Sequence, residues 1–181
     1  MNTKYLNVAS LLTALMFLSL FVFADDDHRW GFRGADVEPV NDAKYASECG
    51  ACHFAYQPGL LPARSWKELM KSLDNHFGEN AELDTAANDR ITGYLTENAA
   101  DNAKTWLSKR IMKSIRRAEN PLRIIDLPII AHEHDEIPAR LYRDNPEVGS
   151  LSNCAACHQR ADAGLYDEHT AVIPGFGNWD D

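Results

Sequence analysis

The chain has little of what marks a sheet protein, a membrane protein or a nucleic-acid binder. Clean alternation of apolar and polar residues, the pattern of half-buried strands, is absent. Leu122 to Ile125 reads as extended but is too short to suggest a sheet. There is no low-complexity segment and no βαβ pattern. Basic residues are outnumbered, 18 Lys and Arg against 27 Asp and Glu, for a formal charge of −9; an acidic surface argues against nucleic acid as a partner. The apolar run Leu11 to Phe23 is short for a membrane span, which takes about 20 residues. Cysteine is scarce too, at four residues.

Those four cysteines all lie in the one repeated motif, Cys49-Gly-Ala-Cys52-His53 and Cys154-Ala-Ala-Cys157-His158. CxxCH is the attachment pattern of c-type haem. Each thiol adds across a vinyl group of the porphyrin, and the adjacent histidine becomes the proximal iron ligand. Competing readings need other patterns. A zinc ribbon sets its CxxC pairs about 15–20 residues apart, whereas 101 residues separate Cys52 from Cys154. A thioredoxin-like CxxC is expected once, near a βαβ unit. Two disulfides would give no role to a histidine after both pairs. The motifs therefore predict two covalently bound haem c groups on Cys49, Cys52, Cys154 and Cys157, with His53 and His158 on iron. The functional question moves from side-chain catalysis to electron transfer.

The first 24 residues read as a secretory signal peptide: Lys4, the apolar run, then Val22-Phe23-Ala24 as a cleavage site before Asp25-Asp26-Asp27. Export to the periplasm suits a haem that bacteria attach outside the cytoplasm, and no membrane span is expected after cleavage. Removing these residues and their one charge, Lys4, takes 181 residues at −9 to 157 at −10. That length suits two haem-binding lobes, residues 25–100 and 101–181, or one dihaem domain over 25–181.

The expected fold is mainly α: a small haem-centred helical protein with long loops, the haems supplying apolar material that so short a chain lacks. Ser65 and Glu68 read as a capping box before Trp66, Leu69, Met70, Leu73 and Phe77 at helical spacing, with Gly78 as a stop. Asp84 caps a segment through Ile91, Tyr94 and Leu95. Asp101 caps one carrying Trp106, Leu107, Ile111 and Ile115. Pro128 opens a short helix through Ile137, which Pro138 ends. Both CxxCH motifs are expected on helices.

Each iron also needs a sixth ligand or an open position. The candidates are His28, His76, His132, His134, His169, Met70 and Met112. His76 edges the apolar stripe of Leu69 and Leu73, 23 residues after His53. His134 shares a face with Ile130 and Ile137, whereas His132 points elsewhere and can pair with Glu136. His169 is the reserve, and His28 is expected at the surface. Met70 belongs to a core stripe, and Met112 sits among basic residues. His76 and His134 are preferred, giving two imidazoles per iron and a comparatively low potential, since axial methionine raises it.

Charge is uneven. Lys104, Lys109, Arg110, Lys113, Arg116, Arg117 and Arg123 are opposed only by Glu119 between positions 104 and 123. Three readings stay open: a solvated helix face, a docking patch for an acidic redox partner, or partners for haem propionates, which arginine binds bidentately.

Beyond the motifs, the sequence resembles the family of small periplasmic dihaem cytochromes c associated with the sphaeroides haem protein. The resemblance rests on Cys49 to His53 followed by Tyr56, Pro58, Leu60-Leu61-Pro62 and Ser65-Trp66, then His76-Phe77-Gly78 and Ala81. It continues through Arg123-Ile124, His134 to Ile137, Asn153-Cys154 to His158, Gly164, Tyr166 and Ile173-Pro174. It implies a non-enzymatic carrier between a membrane cytochrome b and a monohaem oxygen-binding cytochrome c, with both irons bis-histidine. His76 and His134 match the family positions, but the match does not say which serves which haem. A homodimer is compatible with it. Two other functions compete: a haem subunit of a periplasmic reductase, whose motifs lie closer together, and a dihaem peroxidase, a longer protein that needs an iron position able to open.

Overall fold

A computed structural model describes residues 34–179; the expected signal peptide and His28 lie outside them. Six α-helices follow one another among the described residues: α1 Ala43–Cys49, α2 Ala63–Lys71, α3 Thr85–Glu97, α4 Trp106–Ser114, α5 Pro128–His132 and α6 Cys154–Cys157. A single 3-10 turn lies between each successive pair except α3 and α4. The β structure among the described residues is one antiparallel pair, β1 Val172–Ile173 and β2 Gly177–Asn178, with Val172 opposite Asn178.

Local signals explain several ends. Asp42 accepts from the Tyr45 amide at the start of α1, and Asp84 accepts from the Ala87 amide at the start of α3, as its position predicts. Other ends differ from expectation because distant groups take the cap. Helix α2 starts at Ala63, ahead of Ser65; Pro62, with its fixed φ, precedes it, and Asp101 accepts from the Ala63 amide at 2.8 Å. Asp101 thus caps a helix 38 positions upstream, and α4 begins after Thr105 instead. Ser65, buried inside α2, donates to the Asn120 side chain at 2.9 Å.

Helix α2 also stops at Lys71, short of Phe77. The Ser72 hydroxyl bonds back to the Glu68 and Leu69 carbonyls, and the Asn88 side chain takes the Met70 carbonyl. Phe77 and Gly78 then adopt φ of 56° and 103°, reversing the chain so that His76 and Glu79 form a β-bridge. Helix α5 starts at Pro128 but ends at His132, before Ile137. The His134 ring bonds the Ile130 carbonyl that the next turn of helix would have used.

The main core joins α2, α3 and α4 around Leu60, Leu61, Ile91, Leu95, Ile111 and Leu127, and so runs across residue 100. Full burial of each such side chain contributes about 1.5–3 kcal/mol. Met70 fills this core, and the buried Trp66 indole donates to the Pro58 carbonyl. Leu141, Val148, Ala161 and Ile173 are buried outside this cluster. The Asp36 and Val37 amides both donate to the Gly164 carbonyl. Gly164 has φ 71°, and a Cβ there would lie 1.9 Å from the Val37 carbonyl oxygen, so this closure requires glycine.

Candidate haem centres

Helix α1 delivers the first motif: Cys49 is its last residue, and Cys52 and His53 follow on the turn. None of the four cysteines is in a disulfide. Burial, with Glu48 adding to it, pushes the Cys49 thiol up to about 11. The His53 ring meets the Phe54 carbonyl through Nδ1 at 2.8 Å, which leaves Nε2 as the free nitrogen. Facing it is His76, brought round by the α2 break. The ring centres are 6.2 Å apart and the planes 19° apart. Burial first, then His53 and Arg123, lower the His76 pKa. An open cavity of about 250 Å³ beside His76 is lined by Leu69, Ser72, Asn75, Phe77, Gly78 and Leu122. The Arg123 guanidinium sits 3.9 Å over the Phe77 ring.

The second motif is the single turn α6, closed by the His158 amide on the Cys154 carbonyl at 2.8 Å. Burial pushes the Cys154 thiol up to about 11 and raises that of Cys157. Burial, then His134, lowers His158 to about 4. The turn after α5 sets His134 opposite His158, with ring centres 6.1 Å apart and planes at 67°. His134 Nδ1 bonds the Ile130 carbonyl at 2.7 Å. The Tyr166 ring lies 5.4 Å from His158 on another side.

These distances can be compared with what an iron needs. A metal–imidazole bond is about 2 Å, and a ring centre lies about 1 Å beyond its nitrogen, so two imidazoles on opposite faces of one metal have centres about 6 Å apart. Both histidine pairs meet that spacing. Among the described residues no group of three or more His, Cys, Asp or Glu could hold a bare metal ion. The arrangement suits a group that brings its own equatorial ligands, with two cysteines beside it for attachment.

The sequence profile of the dihaem cytochrome c family matches residues 45–166. The chain belongs to the dihaem cytochrome c family. Solved relatives agree in fold. A diheme cytochrome type c from Shewanella baltica is 43% identical over 76% of this chain and 97% of its own, with a TM-score of 0.62. A diheme cytochrome c from Rhodobacter sphaeroides is 43% identical over 72% of this chain and 100% of its own, with a TM-score of 0.64. No curated protein matches the chain. Like its family, this dihaem cytochrome binds two haem c groups covalently, whose irons supply one-electron redox chemistry.

In this dihaem cytochrome the remaining candidates lie apart from the two pairs. His132 is exposed and pairs with Asp135 at 3.4 Å rather than with Glu136. His169 is exposed beside Glu168. Met70 is buried in the core and Met112 packs against it. Sequence patterns assign no role to Gln57, and Tyr56 and Tyr166 stand out only through the family pattern. Their only local signal is position, Tyr56 three residues after one motif and Tyr166 eight after the other.

Proposed function

We propose that this dihaem cytochrome c is an exported electron carrier working in the periplasm between a membrane cytochrome b and a soluble monohaem, oxygen-binding cytochrome c. The observation that carries the reading is the pair of facing imidazoles at each motif. His53 with His76 would bind one iron and His158 with His134 the other, each distal ligand serving the motif in its own part of the chain. Held by two imidazoles each, the irons would offer substrate no site, and the protein would pass electrons without being an enzyme. His53 and His134 each have a backbone carbonyl at Nδ1, which aims Nε2 and raises its basicity as a ligand. The leader over residues 1–24 supports export, and no helix among the described residues is long and apolar enough to cross a membrane.

Helix α4 supports partner recognition. Its inner face, Leu107, Ser108 and Ile111, is buried. Its outer face carries Trp106, Lys109, Arg110 and Lys113, all exposed, with the Arg110 guanidinium 4.8 Å from the Trp106 ring centre. Arg110 also reaches Glu133, the neighbour of His134, at 3.4 Å. A basic face with an exposed aromatic on an acidic chain orients an acidic redox partner before contact.

The test is stopped-flow oxidation of the reduced holoprotein by a monohaem cytochrome c across a salt series. Rates should fall with salt as screening lengths shorten to about 8 Å. Lys109→Glu with Lys113→Glu should slow the reaction and flatten that slope, with haem spectra unchanged. Carbon monoxide should leave the reduced spectrum unaltered. Carbon monoxide binding at either iron would overturn the closed-centre reading, and equal salt slopes would remove the docking role of α4.

A further inference from the structure

Tyr56 and Gln57, three and four positions after His53, grip the second motif at both of its ends. The Tyr56 ring lies 5.2 Å from the His53 ring. Its hydroxyl donates to the Ser152 carbonyl at 2.5 Å. That carbonyl also lies 3.7 Å from the sulfur of Cys154, a haem-attachment residue. Gln57 is fully buried. Its amide donates to the Ala161 carbonyl, three residues beyond His158, and its oxygen accepts from the Tyr166 hydroxyl at 2.6 Å. Tyr166 in turn packs on the His158 ring. A third tyrosine, Tyr45, donates to the Tyr56 carbonyl at 2.6 Å and touches neither end of the second motif.

A buried amide costs free energy unless its hydrogen bonds are made, and a satisfied polar network fixes geometry more sharply than apolar packing does. Here both ends of the Gln57 amide are used, and its partners stand 104 and 109 positions away. The contacts between the two motifs are directional. They fix the distance and tilt of the second attachment segment relative to His53. They also form a route from the His53 ring through the Tyr56 ring and hydroxyl to the Ser152 carbonyl and the Cys154 sulfur, made of one ring contact, the Tyr56–Ser152 hydrogen bond and the 3.7 Å approach of sulfur to carbonyl.

We propose that Tyr56 and Gln57 are positioning residues that clamp the second haem segment onto the first and so set the rate at which electrons cross between the two haems. The step is a one-electron transfer from the ferrous iron of one centre to the ferric iron of the other, with no proton or bond exchanged. The proposal rests on the electron-carrier reading and adds the internal step to it.

The test is the intramolecular exchange rate in half-reduced holoprotein, read by pulse radiolysis or NMR exchange spectroscopy. Tyr56→Phe keeps the ring and removes only the hydroxyl; Gln57→Leu removes the amide at similar volume. Both should slow exchange severalfold while the low-spin character of each haem is kept. Ile91→Ala weakens the main core and removes no group of the clamp, and should exchange at the wild-type rate. Wild-type exchange in both Tyr56→Phe and Gln57→Leu would overturn the proposal. So would equal slowing in Ile91→Ala, because the effect would then be one of general stability. The rate is read within one molecule, so an error about the external partner leaves it unchanged and the two failures are separable.

Discussion

The first motif and the second present the same five-residue pattern and the same pair of imidazoles, in different surroundings. Around the first, Cys49, Ala55 and Tyr56 pack directly against the main core, and His76 follows Leu69, Met70 and Leu73, which belong to it. Around the second, the attachment helix is one turn long, and Leu141, Val148, Ala161 and Ile173 lie outside that core. Side-chain hydrogen bonds do more of the holding there. Asn145 donates to the Pro174 and Leu141 carbonyls, Asn153 to the Val148 carbonyl, and Asp36 accepts from the Tyr166 amide. The first centre is attached directly to the core; the second touches it only through Ile129, Ile130 and Tyr166, so a bound haem would supply more of its apolar packing.

The imidazoles differ as well. In the first centre the motif histidine, His53, has the backbone carbonyl and His76 Nδ1 is buried without a partner. In the second the arrangement is reversed: His134 has the carbonyl and His158 Nδ1 has none. Ring planes are 19° apart in one and 67° apart in the other, and on the proposed ligation they would give the two irons different ligand fields.

The largest expected difference concerns haem removal. A chain with all four cysteines changed to serine should lose amide protection over residues 128–179 before it loses protection in α3 and α4, by hydrogen-exchange mass spectrometry. Equal protection throughout would break the contrast between the two centres. The next expectation separates the ligands. His76→Ala should leave one haem high-spin and the other untouched, and His134→Ala should do the reverse. A double change from either variant would mean that the two centres are coupled. The smallest effects lie in the main core. Ile91→Ala should cost about 2–5 kcal/mol, as large-to-small core substitutions do. Asp84→Ala should cost about 1 kcal/mol through its lost cap. Denaturant unfolding of the holoprotein checks both, and an Asp84 effect above the Ile91 effect would show that the core is misplaced.

The motifs, the Asp84 cap and the α3 stripe were legible in sequence because each depends on neighbours within one or two helical turns. His76 stood out through its spacing from Leu69 and Leu73, yet it sits just before the left-handed turn at Phe77 and Gly78 and not on the helix that spacing implied. Ser72 had ended that helix by bonding back to Glu68. Asp101 was visible as a cap, but the amide it caps belongs to Ala63. Tyr56, Gln57 and Tyr166 gave no periodic signal because their partners are 96 to 109 residues away. Tertiary hydrogen bonds of that reach leave no local pattern to read.

Low-temperature electron paramagnetic resonance of the oxidised holoprotein tests the central claim most directly. Two bis-histidine haems with planes 19° and 67° apart predict two low-spin ferric species in equal amount. One should be rhombic, as near-parallel imidazoles give. The other should show the large maximal g value of crossed imidazoles. A stoichiometric high-spin signal, or one low-spin species accounting for both irons, would contradict the account.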